Sequence, residues 1–377
     1  MPHAPSAALS QRHAQIRLAM REASIDALVV IALPNIAYLT NFAGSSAIVV
    51  LTQEAVHFIT DSRYTAAIAE MQESAWGCPA LQLAMVDGSY DVTLSAVLKA
   101  TGVTRAGVEA AHLTVSRFNW LQTALAGSTP VLVPVEGIIE RARVVKDTFE
   151  VDCLRRAATM LSEVTRDVLA FAKAGMTERE LALGIDTAVR RAGFERAAFE
   201  TIVASGPNAA LPHARPTNRR LGEGDLVVLD FGGVHDSYCV DLTRTVVVGS
   251  ATERVSEVHD AVRRAHDAAI EAVAPGVSRF DIDAAARDVL TAAGMGAAFG
   301  HGTGHGLGLE VHEGPRVAKR GPNVDASDEA VKAGMVFTIE PGAYFPGWGG
   351  VRIEDDVLVT DRGVELLTKA PTELLII

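Results

Sequence analysis

Five side chains able to ligate a metal, Asp230, Asp241, His305, Glu340 and Glu354, lie between residues 230 and 354, each within a distinctive stretch. The stretches read LVVLDFGG, YCVDLTRTVVV, GHGTGHGLGLEVHEGP, MVFTIEPGAY and GVRIEDDVLV. Four of the five place a carboxylate in an apolar, strand-forming run, where an unpaired ion would cost several kcal/mol. Any one of these acids alone would read as an edge-strand residue facing water; the set points to a waiting positive charge. Four carboxylates and an imidazole make an oxygen-rich donor set with one borderline nitrogen. It suits Mn²⁺, Co²⁺, Zn²⁺ or Fe²⁺ better than Ca²⁺, and it lacks the thiolates of a structural zinc site. Four negative charges exceed what one divalent ion needs. Two ions about 3.5–4 Å apart, bridged by carboxylates and a hydroxide, would balance them, and such a hydroxide is a nucleophile at neutral pH. The expected chemistry is metal-assisted hydrolysis.

Histidines surround this set. His301, His305 and His312 share a stretch with six glycines between Gly300 and Gly314, where the backbone can approach closely and adopt unusual dihedrals. A phosphate-binding loop is the rival reading, but no GK[ST] follows. His213 sits in SGPNAALPHARPTN, a loop bounded by Pro207, Pro212 and Pro216, and such fixed loops often deliver groups to a site.

The elements that must position these groups follow from pattern. LVVLDF and YCVDLTRTVVV flank GGVHDS, which reads as a glycine-led turn closing a hairpin. Alternation places Thr243 and Thr245 on the Asp241 face and Arg244 on the other; Arg352 and Asp356 share a strand face with Glu354. A repeat at an offset of 101 residues relates GMTERELALGIDTAVRRAG, from Gly175, to GVSRFDIDAAARDVLTAAG, from Gly276. Thr177 with Glu180, and Ser278 with Asp281, resemble capping boxes that open helices. Long helical stretches precede both, at about 150–173 and 252–273. Two halves of this kind, related by a pseudo-twofold, would place a site at their junction.

Upstream, residues 1 to 138 alternate short strands (DALVVIA, SAIVVL, AVHFIT, VLVPV) with helices at 62–73, 90–101 and 114–125, an α/β layer fold. PNIAYLTNFAGSSA reads as turn-rich, and His57 and His112 as structural. Residues 139–150 read as a charged connector into the domain spanning 151–377.

These residues resemble a known family. The five ligand stretches, with the PHARP loop and the HEGP turn, look like the pita-bread metallopeptidases: aminopeptidase P, prolidase, methionine aminopeptidase and the metal-free relative creatinase. NIAYLTNFAGSSA and FITDSRYTAA are similar to the N-terminal domain of the creatinase, prolidase and aminopeptidase P branch. The resemblance implies an α/β N-terminal domain, then an α+β pita-bread domain with a pseudo-twofold and a curved antiparallel sheet flanked by helices. It implies that Asp230 chelates one metal, that Asp241 and Glu354 bridge two, and that His305 and Glu340 complete the ligand set of the second metal. Glu340 would also shuttle the proton, His312 would stabilise the tetrahedral oxygen, and His213 would contact substrate beside the scissile bond. His301 and Arg352 would support substrate or ligands, and Thr243 would fix a ligand carboxylate. The implied reaction is hydrolysis of Xaa-Pro bonds in proline-containing peptides with two divalent ions, Mn²⁺ ahead of Co²⁺, Zn²⁺ or Fe²⁺, in a homodimer. A cytoplasmic location is expected separately, from an N-terminal stretch with no apolar core. Two departures from the family pattern stand out: Ser237 replaces the usual Gly before Tyr238, and Asn218 the usual Asp between Thr217 and Arg219.

Composition narrows the alternatives. With 34 basic against 46 acidic residues the net charge is −12, which argues against an electrostatic hold on nucleic acid or anionic membrane. Cys78, Cys153 and Cys239 have no metal-type spacing and suggest no disulfide framework. No 18-residue apolar run occurs. Another small-amide hydrolase or a lyase on the same scaffold is the alternative function. A creatinase-like amidinohydrolase is disfavoured, because that enzyme needs no metal ligands and all five are intact. A non-catalytic binding protein on this fold would be expected to have lost ligands.

Overall fold

The computed structural model describes residues 3–321 and 329–377, in two compact units, Met1–Arg143 and Val144–Ile377. The first unit runs α1 (Ser6–Glu22), β1 (Ala27–Val30), α2 (Leu33–Thr40), β2 (Ile48–Thr52), β3 (Val56–Thr60) and α3 (Thr65–Gln72). It continues through β4 (Leu81–Met85), α4 (Tyr90–Thr101), β5 (Arg105–Glu109), α5 (Val115–Ala124) and β6 (Val131–Val135) to α6 (Ile138–Val144). The sheet order is β4-β3-β2-β1-β5-β6, antiparallel among β1, β2 and β3 and parallel elsewhere. Apolar strand faces and helix stripes close one core, with Val29, Val50, Ile59, Leu94, Leu98, Val108 and Leu121 inside it.

One expectation fails here. The stretch read as turn-rich is helical from Leu33 to Thr40, with its proline in the first turn, where a missing N–H costs nothing. Buried Asn35 explains the override: its amide donates to Glu109 and Glu140 at 2.7 Å, and its oxygen accepts from Arg143 at 2.7 Å. Those partners are 74 to 108 residues away, beyond the reach of local propensity. The stretch expected as a connector is occupied by α6, a bridge between Val145 and Met335, and the start of the next helix.

The second unit opens with α7 (Thr148–Phe171), α8 (Glu178–Arg191), β7 (Arg196–Ala197), β8 (Ile202–Ser205), β9 (Leu226–His235) and β10 (Tyr238–Val247). It continues with α9 (Glu253–Glu271), α10 (Arg279–Ala292), β11 (Gly304–Gly306), β12 (Glu313–Val317), β13 (Val336–Ile339) and β14 (Gly342–Phe345). The last elements are β15 (Gly349–Arg352), β16 (Asp355–Thr360), β17 (Gly363–Leu366) and β18 (Leu375–Ile376). One sheet runs β18-β10-β9-β7, with β8 also on β9; a second runs β12-β11-β13-β16-β17, and β14 pairs with β15. Helices α7 and α8 bury Leu154, Leu161 and Ile185 against Leu229, Val240 and Leu242. Helices α9 and α10 bury Val258, Val262 and Ile282 against Phe337, Val351 and Val357.

The repeat is visible in matched backbone bonds. Gly175 N donates to Leu221 O at 2.9 Å and Leu221 N returns to Met176 O at 2.9 Å; Gly276 N donates to Val331 O at 2.8 Å and Val331 N returns to Val277 O at 2.9 Å. Thr177 and Glu180 form the full reciprocal capping box. Ser278 caps Phe280 N at 3.2 Å instead, and no reciprocal bond from the shorter Asp281 side chain occurs among the described residues.

The central hairpin also departs from expectation. Gly232 and Gly233 lie within β9, and the turn falls at Asp236 and Ser237, with φ of 53° and 68°. Positive φ at both central residues is what a tight two-residue hairpin turn requires. Gly232 is needed for another reason: it stands opposite Asp241, and a Cβ there would meet Val240 O at 2.4 Å. Ser237 bears the left-handed cost that glycine avoids. Ser237→Gly is therefore expected to stabilise the protein by about 0.5–1 kcal/mol, read as a higher denaturant midpoint without loss of turnover.

Candidate metal centre

The hairpin register pairs Asp230 with Thr243 and Asp241 with Gly232, which sets both aspartates diagonally on one face of β9 and β10. Glu354 joins them across an isolated bridge to Thr243. It lies between β15 and β16, not within one continuous strand as the sequence suggested, because β15 pairs with β14 and β16 with β13. The side-chain alternation survives this break. Arg352 and Glu354 meet at Thr243, Asp356 accepts from Asp241 N at 3.1 Å, and Arg244 and Asp355 pair on the opposite face. His305 comes from β11 and Glu340 follows β13.

Asp241, His305 and Glu354 each offer a ligand atom within 4.8 Å of one another. His305 Nδ1 lies 3.1 Å from Gly306 O, a carbonyl that can only accept, so the proton belongs on Nδ1 and a bare lone pair on Nε2. That lone pair faces Asp241 Oδ2 at 3.9 Å and Glu340 Oε1 at 3.6 Å. Burial pushes the His305 pKa down, so a ring proton does not resolve the clash of lone pairs. Asp230 Oδ1 and Asp241 Oδ1 are buried with no hydrogen-bond partner. Buried polar atoms are rarely left this way. A cation among these oxygens and this nitrogen satisfies all of them, and the residues fit a divalent metal site.

The electrostatics agree. Burial, and then the neighbouring Glu354 carboxylate, push the Asp241 pKa well above the usual range. Burial followed by Glu340 does the same to Glu354, and burial pushes Glu340 up to about 7. Carboxylates this close cannot all ionise without a compensating charge.

Arg352 is the hub beneath them. It makes a short ion pair to Asp230 Oδ2, donates from Nε to Thr243 Oγ1 at 3.2 Å and from Nη1 to Tyr344 Oη at 2.9 Å. Thr243 then donates to Glu354 Oε2 at 2.6 Å. His301 Nδ1 lies against Gly302 O at 2.8 Å, which leaves Nε2 to accept from Tyr344 Oη at 2.9 Å; burial pushes this ring down to about 4, so it is neutral. The His312 ring centre lies 4.3 Å from that of His305, and burial lowers its pKa as well. His213, His301, His305, His312, Arg352 and all four carboxylates line one cavity of about 660 Å³. Every residue expected from sequence to hold metal or meet substrate thus faces the same space, while Thr243 bonds Glu354 without lining it. Sequence reasoning missed Tyr344, which looked like an apolar strand residue in EPGAY, and Arg316, which lines the cavity four positions after His312.

Comparison with known proteins places this arrangement. Residues 152–361 match metallopeptidase family M24, and residues 12–145 match the creatinase/prolidase N-terminal domain. The Bacillus subtilis peptidase YqhT is 34% identical over 363 residues, covering 96% of this chain and 99% of that protein. The solved structure of an Xaa-Pro dipeptidase from Bacillus anthracis superposes with a TM-score of 0.91 at 33% identity, covering 98% of this chain and 100% of that one. That of an X-Pro aminopeptidase from Thermotoga maritima gives 0.85 at 31% identity, covering 96% and 100%. No helix among the described residues is long and apolar enough to cross a membrane.

Proposed function

The chain belongs to metallopeptidase family M24 and carries a creatinase/prolidase N-terminal domain, and from that premise we propose that it hydrolyses Xaa-Pro peptide bonds. Asp230, Asp241, His305, Glu340 and Glu354 would hold two divalent ions, with Asp241 and Glu354 shared between them. The observation that carries this reading is the His305 lone pair turned on two carboxylate oxygens, beside orphaned oxygens of Asp230 and Asp241. Ions bound there supply Lewis-acid chemistry: water acidified towards neutral pH and a polarised scissile carbonyl.

The remaining work falls to the chain. Glu340 takes the proton of the attacking water onto its carboxylate and delivers it to the proline nitrogen as the C–N bond breaks. An Xaa-Pro bond is a tertiary amide, so its nitrogen leaves only if protonated. Neutral His312 donates a hydrogen bond to the oxygen that gains charge as the carbonyl becomes tetrahedral. His213 contacts the substrate beside the scissile bond. Arg352, held by Tyr344 and His301, fixes Asp230 and, through Thr243, Glu354. Arg316 brings positive charge to the cavity lining, where a short substrate's carboxylate would lie, while Arg215 in the same lining is paired with Glu200 at 3.4 Å.

The test is hydrolysis by chelator-stripped protein refilled with Mn²⁺, Co²⁺, Zn²⁺ or Fe²⁺. The panel holds an Xaa-Pro dipeptide, an Xaa-Pro-Xaa tripeptide, a longer Xaa-Pro peptide, a Met-Ala peptide and creatine. Activity is expected only on the proline substrates and only with metal, Mn²⁺ foremost. Cleavage of the dipeptide alone would define a dipeptidase, and cleavage of the longer peptides an aminopeptidase. Silence on every proline substrate despite bound metal would overturn the Xaa-Pro reading in favour of another amide or a lyase reaction. The same reading takes a cytoplasmic homodimer as the working form, which sedimentation of the metal-loaded protein tests.

A further inference from the structure

Glu178 is the first residue of α8, yet its carboxylate is withdrawn from solvent, unlike that of Glu180 two residues on. Its Oε1 accepts from Ser205 N at 2.8 Å, Ser205 Oγ at 2.7 Å and Asn208 Nδ2 at 3.0 Å. Its Oε2 accepts from Thr217 N at 2.9 Å, Thr217 Oγ1 at 2.6 Å and Asn208 Nδ2 at 3.2 Å. Ser205 ends β8, and the loop from Gly206 to Pro216 leaves and returns at this one carboxylate. Between the two ends lie Pro212, whose carbonyl accepts from Arg352 Nη1 at 3.4 Å, and His213, which lines the cavity. Burial pushes the Glu178 carboxyl up, but the donors from Thr217 and Ser205 outweigh it and hold the group below its usual range, so it is an anion. Helix start and capping box need none of this, since Thr177 and Glu180 already satisfy them. The other half of the repeat has a counterpart at the matching position: Arg279, first residue of α10, donates to Arg316 O at 2.5 Å, on the strand that follows His312.

We propose that Glu178 is a positioning residue for hydrolysis, clamping Ser205 and Thr217 to one point and so fixing the His213 loop at the cavity. The role in turnover rests on the Xaa-Pro reading above; the clamp itself does not. Misplacing a reacting or contacting group by about 1 Å can cost on the order of 10²-fold in rate. An anchor of six contacts from five donor atoms, on a loop carrying Pro207, Pro212 and Pro216, is a means of preventing that displacement.

Glu178→Gln keeps the shape but turns one acceptor into a donor facing donors. In the full-length, Mn²⁺-loaded protein it is expected to lower kcat/KM on an Xaa-Pro peptide by about 10²-fold. Metal content should be unchanged, and amide hydrogen exchange across residues 206–217 should rise. Introduced into His213→Ala protein, the same substitution should cost little more, because both act on one element. A general structural role would give equal further loss in both backgrounds, and that result, or unchanged exchange over the loop, overturns the clamp. Should Glu178→Gln fail to fold, Asn208→Ala with Thr217→Val removes three of the six contacts while keeping the anion paired. That pair is expected to show the same non-additivity with His213→Ala, and additive losses again overturn the proposal. If the wild-type protein is silent on all proline peptides, the Xaa-Pro reading fails by itself. Exchange then decides the clamp: faster over 206–217 in Glu178→Gln sustains it, and no change overturns it.

Discussion

Asp241→Ala and Glu354→Ala are each expected to remove metal-dependent turnover by about 10³-fold or more, equivalent to roughly 4 kcal/mol of lost transition-state stabilisation. Both carboxylates are buried within one constellation with His305, and in the proposed arrangement each would be shared between two ions. The stability signature should separate loss of metal from loss of fold. In the metal-free protein both groups are protonation-prone because burial and like charge oppose their ionisation. Deleting either relieves repulsion there, so the chelated variants should melt no lower than chelated wild type by more than the small cost of a cavity. Added Mn²⁺ should raise the wild-type midpoint by mass action and leave the variants nearly unmoved. Thermal melts with and without Mn²⁺, alongside metal analysis, read both effects. Either variant turning over at the wild-type rate with metal would refute its assignment as a shared ligand.

Much of this centre was legible because it violates a local rule. Asp230 and Asp241 interrupt Val- and Leu-rich runs, and period-two alternation was enough to put Thr243 with Asp241 and Arg244 behind. What was not legible depended on partners distant in sequence. The break between β15 and β16 arises because consecutive residues choose different sheets, which no local pattern records. The turn was misplaced because glycine is a stronger local signal than Asp236-Ser237, although Gly232 serves close packing against β10. The helix at Leu33–Thr40 was hidden by turn-rich composition and is held by Asn35 contacts to Glu109, Glu140 and Arg143. Tyr344 went unnoticed because its hydroxyl matters only once His301 and Arg352 are seen beside it. Glu178 drew no reading from the sequence for the same reason: its partners Ser205, Asn208 and Thr217 lie 27 to 39 residues away.

The face behind the metal centre carries the second large effect. Asp355 is fully buried and accepts from Arg244 Nη2 at 2.9 and 3.1 Å and from Thr368 Oγ1 at 2.7 Å, with His266 Nε2 at 3.1 Å. Arg244 also donates to the carbonyls of Thr243, Glu354, Ala370 and Pro371, so it joins the ligand-bearing strands to the C-terminal segment. Replacing the ion pair with apolar residues of equal volume could be harmless, but removing one partner strands the other charge in the core. Asp355→Asn is therefore expected to cost about 3–5 kcal/mol, measured by denaturant unfolding of chelated protein so that metal binding does not contribute. The pH dependence has a definite sign. Burial pushes the Asp355 carboxyl up, yet Arg244 and His266 outweigh it and hold it below the usual range. Its contribution is therefore present above about pH 4 and is lost as pH falls. Burial lowers the His266 pKa, but Asp267 and Asp355 outweigh it and raise the group, so its contribution is present below about pH 6.5 and is lost as pH rises. The gap between wild type and Asp355→Asn should be widest between these limits, collapse on the acid side and shrink only partly on the basic side, where Arg244 stays charged. A gap that instead widened steadily with acid would mean that Asp355 is neutral in the native protein and that Arg244 is balanced by its carbonyl acceptors alone.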